Sequence, residues 1–441
     1  MINNLALQLN ALASEGGAAR AAVRVHQALE SHGHVNGWIS GFRALSGISA
    51  VPEAKIAPPD HQSRWRRHLR SRLIQTRKHG WKTENPSLHS LGWPDTGLGK
   101  ELLAAYAAGE FQLLNLHWLG DSTISIEEIG RLSVPMVWTL HDQWAFSGSE
   151  HYSPLNVSER KYINSGRFVD GYTAANCPEF ERGFDLNRWT WRRKSTSWCK
   201  PMPLICPSAW MASCVKRSAL MADWPCHVIP NPLDPEQWFP LEPDLARTVL
   251  GLPLEDPIVL FGAMGGTQDP RKGSDLLMQA LPHLAVRCAD FSRPPTLVIF
   301  GQARPGEAPN VDLPVHYLGH LHDDVSLRLA YSAADVMVVP SRLDNLPNTA
   351  TEAMACGTPV VAFRTGGLPE IVDHCVSGML VEEFDPEALA QCITDVLHNP
   401  QHLHSMAARA REQAEAKWDP ARIAALYAEV YSEALLSQQI S

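Results

Sequence analysis

Short apolar runs alternate along this chain with longer segments whose apolar residues recur at helical spacing. Runs of about four to eight β-branched and apolar residues are typical of parallel strands that helices cover on both faces. The strands predicted in the C-terminal half are Ile258–Phe261, Thr296–Phe300, Val315–Leu318, Val336–Val339, Val360–Phe363 and Met379–Val381. Because helical segments separate these strands, the pattern predicts a doubly wound parallel sheet.

The N-terminal half shows the same alternation in a looser form. Its predicted strands are Leu5–Leu12, Val35–Ser40, Leu113–Trp118, Val134–Leu140, Leu204–Pro207 and Val228–Pro230. The segment Ile229–Asp234 contains two prolines and an asparagine, which suits a hinge between domains. We therefore predict one α/β domain over residues 1–240 and a second over 241–418. Asp419 and Pro420 then form an N-cap and N1 pair for a last helix, over about 419–436.

Composition adds limits on the class of protein. A chain of 441 residues with 45% apolar residues can build two cores. The net charge of −9 argues against a nucleic-acid-binding protein, which needs a basic surface. The chain shows neither a leader peptide nor an apolar run of about 18 residues, so we expect a cytoplasmic protein. Nine cysteines without a Cys-x-x-Cys pair indicate neither a disulfide framework nor a zinc site.

Residues 64–82 stand out because they contain eight Lys or Arg residues and no acid. Trp65, Leu69 and Leu73 lie at helical spacing within them, so the pattern predicts a basic amphipathic helix. The helix could pack on its own domain through the Trp-Leu stripe, which we favour. It could instead rest peripherally on an anionic membrane surface, where each basic residue contributes about 1 kcal/mol.

The segment Val336–Phe363 reads as strand, loop, short helix, turn and strand. Pro347 suits the first turn of this helix, and its amides would point at the edge where parallel sheets bind ligands. We expect a phosphate group as the ligand at this edge. Asp344 and Glu352 bracket the helix start, eight residues apart. An N-cap Asp and a surface Glu would be the structural alternative.

This pair resembles the Glu-x7-Glu signature of family-four glycosyltransferases, which are retaining enzymes of the GT-B fold. The flanking Pro-Ser, Glu-Ala-Met-Ala-Cys-Gly-Thr-Pro-Val-Val and Gly-Gly-Leu-Pro-Glu also match that family. The resemblance implies two Rossmann-like domains facing an interdomain cleft, with the last helix packed back on the first domain. It implies that Glu352 holds the donor ribose, that Asp344 faces the sugar, and that the amides of Asn345, Leu346 and Asn348 contact the diphosphate.

The resemblance extends to the loop after the first strand of the second domain. Lys272 precedes a glycine and matches the lysine that neutralises the donor diphosphate. Ala263 stands where the family has an arginine, and we assign Arg271 as a possible substitute on our own account. Gly16 and Gly17 match a glycine pair that contacts donor phosphate and acceptor. A strand-to-helix turn alone would equally explain them.

The sequence Thr-Leu-His-Asp follows the predicted strand Val134–Leu140 and, with Asn-Leu-His-Trp upstream, resembles a bacterial exopolysaccharide or colanic-acid branch of the family. His141 lies at a strand end, where a neutral imidazole can contact a donor sugar hydroxyl. A structural histidine is the alternative. Cys177 alone fits the cysteine loop of that branch, so no metal or disulfide cluster is carried over.

The resemblance thus implies transfer of a sugar, with retention, from a nucleotide-diphosphate sugar to a hydroxyl. The acceptor would be a saccharide or a lipid-linked molecule in cell-surface polysaccharide synthesis. Lys272 and helix amides, with Arg271 as our own assignment, could stabilise the leaving diphosphate without a metal or a cofactor.

Three other functions are compatible with two Rossmann-like domains. A dinucleotide dehydrogenase should carry Gly-x-Gly-x-x-Gly after a strand, and neither opening strand does. A nucleotide-sugar epimerase of the same fold would change stereochemistry without an acceptor. A non-catalytic nucleotide-sugar-binding protein would explain Asp344 in place of Glu, and Ala263.

Overall fold

The computed structural model describes residues 6–11, 16–33, 37–40, 63–120, 123–156, 161–162, 166–262, 269–304, 313–382 and 384–439. The chain divides into two compact units. The first contains residues 1–231 and 420–441, and the second contains residues 232–419.

The first unit is a parallel six-stranded sheet with helices around it. Its elements are β1 (Ala6–Asn10), α1 (Gly17–Ser31), β2 (Gly37–Ser40), α2 (Ser63–Lys78), α3 (Leu98–Ala107), β3 (Leu113–Leu116), α4 (Ile126–Arg131), β4 (Met136–Thr139), β5 (Leu155–Asn156), β6 (Lys161–Tyr162), α5 (Arg167–Asp170), α6 (Leu186–Ser197), β7 (Leu204–Cys206), α7 (Ala209–Arg217) and β8 (Cys226–Val228). The strand order is β2-β1-β3-β4-β7-β8, and β5 and β6 form a separate antiparallel pair.

The second unit repeats this architecture more regularly. Its elements are α8 (Pro243–Leu250), β9 (Ile258–Gly262), a 3₁₀ turn (Pro270–Lys272), α9 (Ser274–Arg287), β10 (Thr296–Phe300), β11 (Val315–Gly319), α10 (Asp324–Ser332), β12 (Val336–Val339), α11 (Asn348–Ala355), β13 (Val360–Phe363), α12 (Leu368–Ile371), β14 (Gly378–Val381), α13 (Pro386–His398) and α14 (Pro400–Lys417). The parallel sheet has the order β11-β10-β9-β12-β13-β14. Every residue of β12 and β13 is buried, as their apolar sequences require.

The last helix, α15 (Pro420–Gln439), belongs to the first unit. Its buried face recurs at helical spacing and includes Ile423, Tyr427 and Tyr431. That face packs in one apolar cluster with Leu113 of β3 and Val137 of β4. One face of the first sheet is therefore covered by the segment that follows the second unit in the chain.

The division between the units falls after Asn231, whereas the sequence placed the boundary near residue 240. The backbone N–H of Leu233 donates to the carbonyl oxygen of Trp418 at 2.8 Å. Trp238 is fully buried in an apolar cluster of the second unit. Apolar packing therefore assigns residues 232–240 to the second unit, which the proline pattern alone did not reveal.

The basic segment forms helix α2, as its periodicity predicted. The favoured packing through the Trp-Leu stripe is wrong for Leu69 and Leu73, which are 45% and 38% exposed. The helix is held at its end instead, where the Arg77 guanidinium lies 4.6 Å from the ring centres of both Phe184 and Trp189. Across the described parts of the chain, no helix combines the length and the apolar character that crossing a bilayer would take.

Candidate functional site

The loop between β12 and α11 carries the predicted donor-binding residues Asn345 and Leu346, and α11 itself carries Asn348 and Glu352. Helix α11 begins at Asn348, and Pro347 is its N-cap rather than part of its first turn. The Pro347 carbonyl oxygen accepts the N–H groups of Ala350 and Thr351 at 3.1 and 3.3 Å. Asn345 and Leu346 are buried, and Asn348 is half-buried at the helix start.

The structure brings Lys272 and Asp344 directly together. The Lys272 Nζ donates to Asp344 Oδ2 at 2.6 Å, and Ser341 Oγ lies 3.4 Å from the same oxygen. The two side chains of the ion pair are 23% and 10% exposed. Burial raises the pKa of Asp344, but the positive charges of Lys272 and Arg271 outweigh burial and lower the pKa below its ordinary value. Asp344 is therefore ionised. The Lys272 ammonium group that a ligand would contact already forms an ion pair with it.

Arg342, which the sequence analysis did not identify, links the loop after β12 to the 3₁₀ turn and the start of α9. Its guanidinium donates to the Pro270 carbonyl oxygen at 2.7 Å and forms a bidentate pair with Asp275 at 2.7 and 2.6 Å. Its backbone N–H donates to the Arg271 carbonyl oxygen at 2.7 Å. The Pro-Ser that precedes it in sequence was noted, but its partner Asp275 lies 67 residues away. Arg342 thus sets the position from which Lys272 reaches Asp344.

Gly273 allows the close approach of the two loops. It has φ of 67° between the 3₁₀ turn and α9, and an added Cβ would overlap the Pro340 carbonyl oxygen. A left-handed conformation costs an L-residue about 1–2 kcal/mol even without such an overlap. Lys272, the neighbouring residue, depends on this geometry for its reach to Asp344.

Gly273→Ala is expected to destabilise the second unit by at least about 1–2 kcal/mol, since strain and overlap act together. Thermal unfolding measures the change. Gly251→Ala provides a matched control, because Gly251 has a similar φ of 66° but nothing within 4 Å of an added Cβ. Equal losses in the two variants would show that close approach to Pro340 plays no part.

Glu352 is 2% exposed within α11. The hydroxyl of Tyr331, itself fully buried, donates to Glu352 Oε2 at 2.7 Å. This contact orients the carboxylate that the family resemblance assigns to ribose. Tyr331 was not identified from the sequence, because one aromatic residue in an amphipathic helix gives no signal of its partner.

Arg271 is already paired within its own loop. Its guanidinium lies 2.7 Å from Asp269 Oδ2, and both side chains are partly exposed, at 17% and 27%. Asp269 also accepts the Arg271 backbone N–H and so shapes the 3₁₀ turn. Ala263, the position where the family has an arginine, lies outside the described residues.

Gly16, Gly17 and His141 belong to the first unit. Gly16 has φ of 95° directly before α1, and Gly17 is the first helical residue. The conformation alone favours glycine at position 16. His141 follows β4, and its Nε2 lies 3.0 Å from Nδ1 of His117, which follows the neighbouring strand β3. The two imidazole rings stack with their centres 5.3 Å apart.

Both histidines of this pair are neutral at pH 7. Burial lowers the pKa of His141 to about 4 and lowers the pKa of His117 well below its ordinary value. The adjacent Asp142 is a hydrogen-bond acceptor for several neighbours. Its carboxylate accepts from Trp118 Nε1 at 2.7 Å and from the Trp144 N–H at 2.9 Å, and it lies 2.5 Å from His151 Nδ1. Asp142 therefore shapes the loop that follows His141.

Cys177, Glu181 and Asp185 are the one group in the described part of the chain whose ligand atoms lie within 4.8 Å of one another. The Arg167 guanidinium already lies among the carboxylates, 2.6 Å from Asp185 and 3.6 Å from Glu181. It supplies the positive charge that a metal ion would bring. These residues therefore do not fit a metal ion in this arrangement.

Parts of the chain are similar to known glycosyltransferases. Residues 256–399 match the family described as "Glycosyl transferases group 1". The D-inositol 3-phosphate glycosyltransferase of Xylanimonas cellulosilytica is 37% identical over 225 residues, which are 47% of this chain and 51% of that protein. A GDP-mannose-dependent monoacylated alpha-(1-6)-phosphatidylinositol monomannoside mannosyltransferase of Corynebacterium glutamicum is 31% identical over 206 residues, 43% of this chain and 51% of that protein. The chain spans about half the length of these curated relatives.

Solved structures match over nearly the whole chain. Sucrose-phosphate synthase from Thermosynechococcus elongatus aligns with a TM-score of 0.64 and 20% identity, covering 98% of this chain and 100% of that one. Anabaena Alr3699/HepE, solved in complex with UDP-glucose, aligns with a TM-score of 0.59 and 18% identity, covering 97% and 99%. The predicted fold class is thereby confirmed. The chain has the GT-B fold, with two Rossmann-like units, and carries in the second a segment that matches glycosyl transferases group 1.

Proposed function

We propose that this protein is a retaining glycosyltransferase that moves a sugar from a nucleotide-diphosphate sugar to an acceptor hydroxyl. The observation that carries the proposal is the Lys272–Asp344 pair beside the start of α11, with Glu352 on the same helix. It lies within the segment that matches glycosyl transferases group 1. A cation, helix amides and two carboxylates are the groups needed to bind a diphosphate, a sugar and a ribose.

Charge on the diphosphate grows as the bond to the sugar breaks. Lys272 and the N-terminal amides of α11 can stabilise that charge without rearrangement, which is the largest contribution in many enzymes. In the mechanism proposed for the family, the departing phosphate accepts the proton of the acceptor hydroxyl on the same face of the sugar. This route gives retention and needs neither a metal ion nor a cofactor.

The names of the relatives and structural neighbours support the donor and acceptor classes in this proposal. UDP-glucose in one structural neighbour and GDP-mannose in the name of one relative support a nucleotide-diphosphate sugar as donor. Inositol 3-phosphate and a phosphatidylinositol mannoside occur in the relatives' names. We therefore add polyols and glycolipids to the saccharide and lipid-linked acceptors expected for cell-surface polysaccharide synthesis.

A peripheral position at the cytoplasmic membrane face is part of this proposal. The exposed Leu69 and Leu73 lie on a helix with basic residues and would suit an anionic surface that presents a lipid-linked acceptor. Flotation with vesicles that contain anionic lipid tests this point. Loss of binding in high salt is expected, because the attraction is electrostatic.

A donor panel provides the main experiment. Thermal stabilisation by UDP- and GDP-sugars would identify the donor, because stability rises with the logarithm of occupancy. Transfer to polyol, saccharide and glycolipid acceptors would then be followed, with the anomeric configuration of the product read by NMR. Altered donor stereochemistry without an acceptor would indicate an epimerase. Donor binding without turnover on any acceptor would indicate a non-catalytic binding protein.

Transfer is expected to continue in excess EDTA, because the proposed charge stabilisation uses Lys272 and backbone amides. The assay compares initial rates with and without chelator, after exhaustive dialysis. A rate that disappears with EDTA and returns with magnesium or manganese would refute the metal-free mechanism.

A further inference from the structure

Two cysteines lie side by side on adjacent strands at one edge of the first sheet. The Sγ atoms of Cys206 on β7 and Cys226 on β8 are 3.4 Å apart, and both thiols are free. The register partner of Cys226 is Leu204, two residues before Cys206, so the two thiols are diagonal neighbours on the same face of the sheet. Because 20 positions separate them in the chain, the cysteine spacing did not indicate the pair.

The surroundings of the two thiols are unequal. Cys206 is fully buried in an apolar cluster of the first unit, whereas Cys226 is partly exposed. Since a thiolate needs solvation, Cys226 is the thiol that can lose its proton, and Cys206 then donates a hydrogen bond to the Cys226 sulfur. That hydrogen bond lowers the pKa of Cys226, and the charge of Lys216 on α7 acts in the same direction. The contact with Cys226, together with burial, raises the pKa of Cys206 well above its ordinary value.

We propose that Cys226 and Cys206 form a reversible dithiol–disulfide pair, in which Cys226 reacts first with a peroxide and Cys206 then closes the disulfide. Such a modification site requires a nucleophilic, partly exposed thiolate and a second thiol in contact with it. Both are present at this edge of the first sheet. The proposal does not depend on the glycosyltransferase function.

The reaction proceeds in two balanced steps. The Cys226 thiolate attacks one oxygen of hydrogen peroxide, the O–O bond breaks, and a sulfenic acid and hydroxide form. The Cys206 sulfur then attacks the Cys226 sulfur, so that an S–S bond forms and the S–O bond breaks. The hydroxide that leaves takes the Cys206 proton and becomes water. In sum, two thiols lose two electrons and two protons, and one peroxide becomes two waters.

Closure of the disulfide requires a small movement of β8. Diagonal neighbours in a sheet have Cα atoms about 7–8 Å apart, whereas a disulfide usually joins Cα atoms about 4.4–6.8 Å apart. In the described part of the sheet, β8 is a three-residue edge strand whose one hydrogen-bonded neighbour is β7. It can therefore move toward Cys206 without breaking a second strand pairing. The Ile229 N–H, which donates to the Cys206 carbonyl oxygen at 3.0 Å, would report that movement.

An alternative explanation is that both cysteines are only small apolar residues of the core. In that case both thiols stay inert while the protein is folded, and peroxide oxidises the most accessible cysteines. Cys199 and Cys375 are exposed and serve as internal references. The order in which the thiols react therefore distinguishes a dithiol site from core packing.

The experiment treats the reduced, folded chain with hydrogen peroxide, alkylates the remaining thiols and maps the tryptic peptides by mass spectrometry. Cleavage after Lys216 separates the two cysteines, so a disulfide between them appears as a cross-link between two peptides. Fragment spectra distinguish Cys206 from Cys199 and Cys214 on the same side of that cleavage site. We expect the Cys206–Cys226 cross-link to form before Cys199 is oxidised and to disappear with dithiothreitol.

Two substitutions at Cys206 separate activation of Cys226 from closure of the disulfide. In Cys206→Ser a hydroxyl can still donate to the Cys226 sulfur, so the pH midpoint for alkylation of Cys226 should be retained while the cross-link is lost. In Cys206→Ala the donor is lost as well, and the midpoint should move to higher pH. Cys214→Ala is the matched control, because Cys214 is buried in the same apolar cluster and should change neither the midpoint nor the cross-link.

Absence of the cross-link at peroxide concentrations that fully oxidise Cys199 would overturn the proposal. So would a sulfenic acid that accumulates on Cys226 without closure, or an unchanged alkylation midpoint in Cys206→Ala. Should the variants at Cys206 fail to fold, Cys226→Ser provides the second test at the more exposed position, and Cys206 must then stay reduced. Hydrogen exchange at the Ile229 amide should become faster in the oxidised protein, and an unchanged rate would refute the movement of β8.

Discussion

Lys272→Met is expected to weaken donor binding by about 10- to 150-fold and to lower the stability of the second unit. A charge-assisted contact with a diphosphate contributes about 1.5–3 kcal/mol, and a neutral nucleoside should lose much less. Removal of the cation also leaves Asp344 unpaired at 10% exposure. Breaking a buried pair costs about 3 kcal/mol or more, and the partial exposure of Lys272 places this case at the low end. Calorimetric titration and chemical denaturation measure the two effects.

The stability loss should depend on pH with a definite sign. In the wild type, the pKa of Asp344 is below its ordinary value, so the pair stabilises the folded state above about pH 4. That contribution is lost as pH falls through the lowered pKa. Without Lys272, the pKa of Asp344 should be higher than in the wild type, so the variant's deficit should be full at pH 7 and should shrink as the carboxyl takes up a proton. A deficit that does not change between pH 7 and pH 3 would contradict the ion-pair explanation.

Two further variants separate the contributions of the loop. Asp344→Asn in the Lys272→Met background should recover much of the stability, because no unpaired charge is then buried. Arg271→Met tests the neighbouring cation. Its partner Asp269 is 27% exposed, whereas Asp344 is 10% exposed. If Arg271 serves the diphosphate, this variant also loses donor affinity. Unchanged affinity would remove Arg271 from the site.

Asp344→Asn is expected to lower kcat by roughly 100-fold without weakening the nucleoside diphosphate. The charge of Asp344 faces the sugar in the proposed complex, and a contact that strengthens in the transition state affects kcat when it is removed. Because Asp344 is paired with Lys272, the variant leaves the lysine more positive toward phosphate. Diphosphate affinity should therefore stay equal or increase. Weaker diphosphate binding would show that Asp344 only holds Lys272 in place.

Glu352→Gln provides the contrasting result, because its proposed partners are the ribose hydroxyls. It should weaken the nucleoside as well as the whole donor. Tyr331→Phe serves as its control, since it removes the hydroxyl that donates to Glu352 but keeps the carboxylate. A full loss in Tyr331→Phe would show that Glu352 needs the Tyr331 contact for its orientation, whereas unchanged nucleoside binding in Glu352→Gln would contradict the ribose assignment.

Local patterns predicted the second unit well. Val336–Val339 and Val360–Phe363 form strands at the predicted residues, because β-branched runs covered by helices leave little choice of structure. Helix α2 also follows its periodicity, yet the environment of Leu69 was predicted wrongly. Periodicity identifies a helix face, but it does not specify which surface covers that face.

Long-range polar contacts could not be predicted from the sequence. Lys272 and Asp344 were each predicted to lie at the donor site, but their direct bond joins two loops 72 residues apart, which Arg342 also links. Gln8 and Tyr431 are separated by 423 positions. A polar residue in an apolar strand indicates that a partner must exist, but sequence spacing does not identify it.

The order of the units along the chain has a consequence for biosynthesis. A ribosome delivers residues 6–231 and then the whole second unit before α15 emerges. Until then, the sheet face that Ile423 and Tyr427 later cover lacks its partner, and Gln8 and Asn115 lack the Tyr431 hydroxyl. The second unit can therefore finish folding before the N-terminal unit does. Until α15 is synthesised, the N-terminal unit remains a partly folded intermediate of the kind that chaperones bind. Pulse-chase proteolysis of stalled nascent chains should show protection of residues 232–419 before residues 6–231.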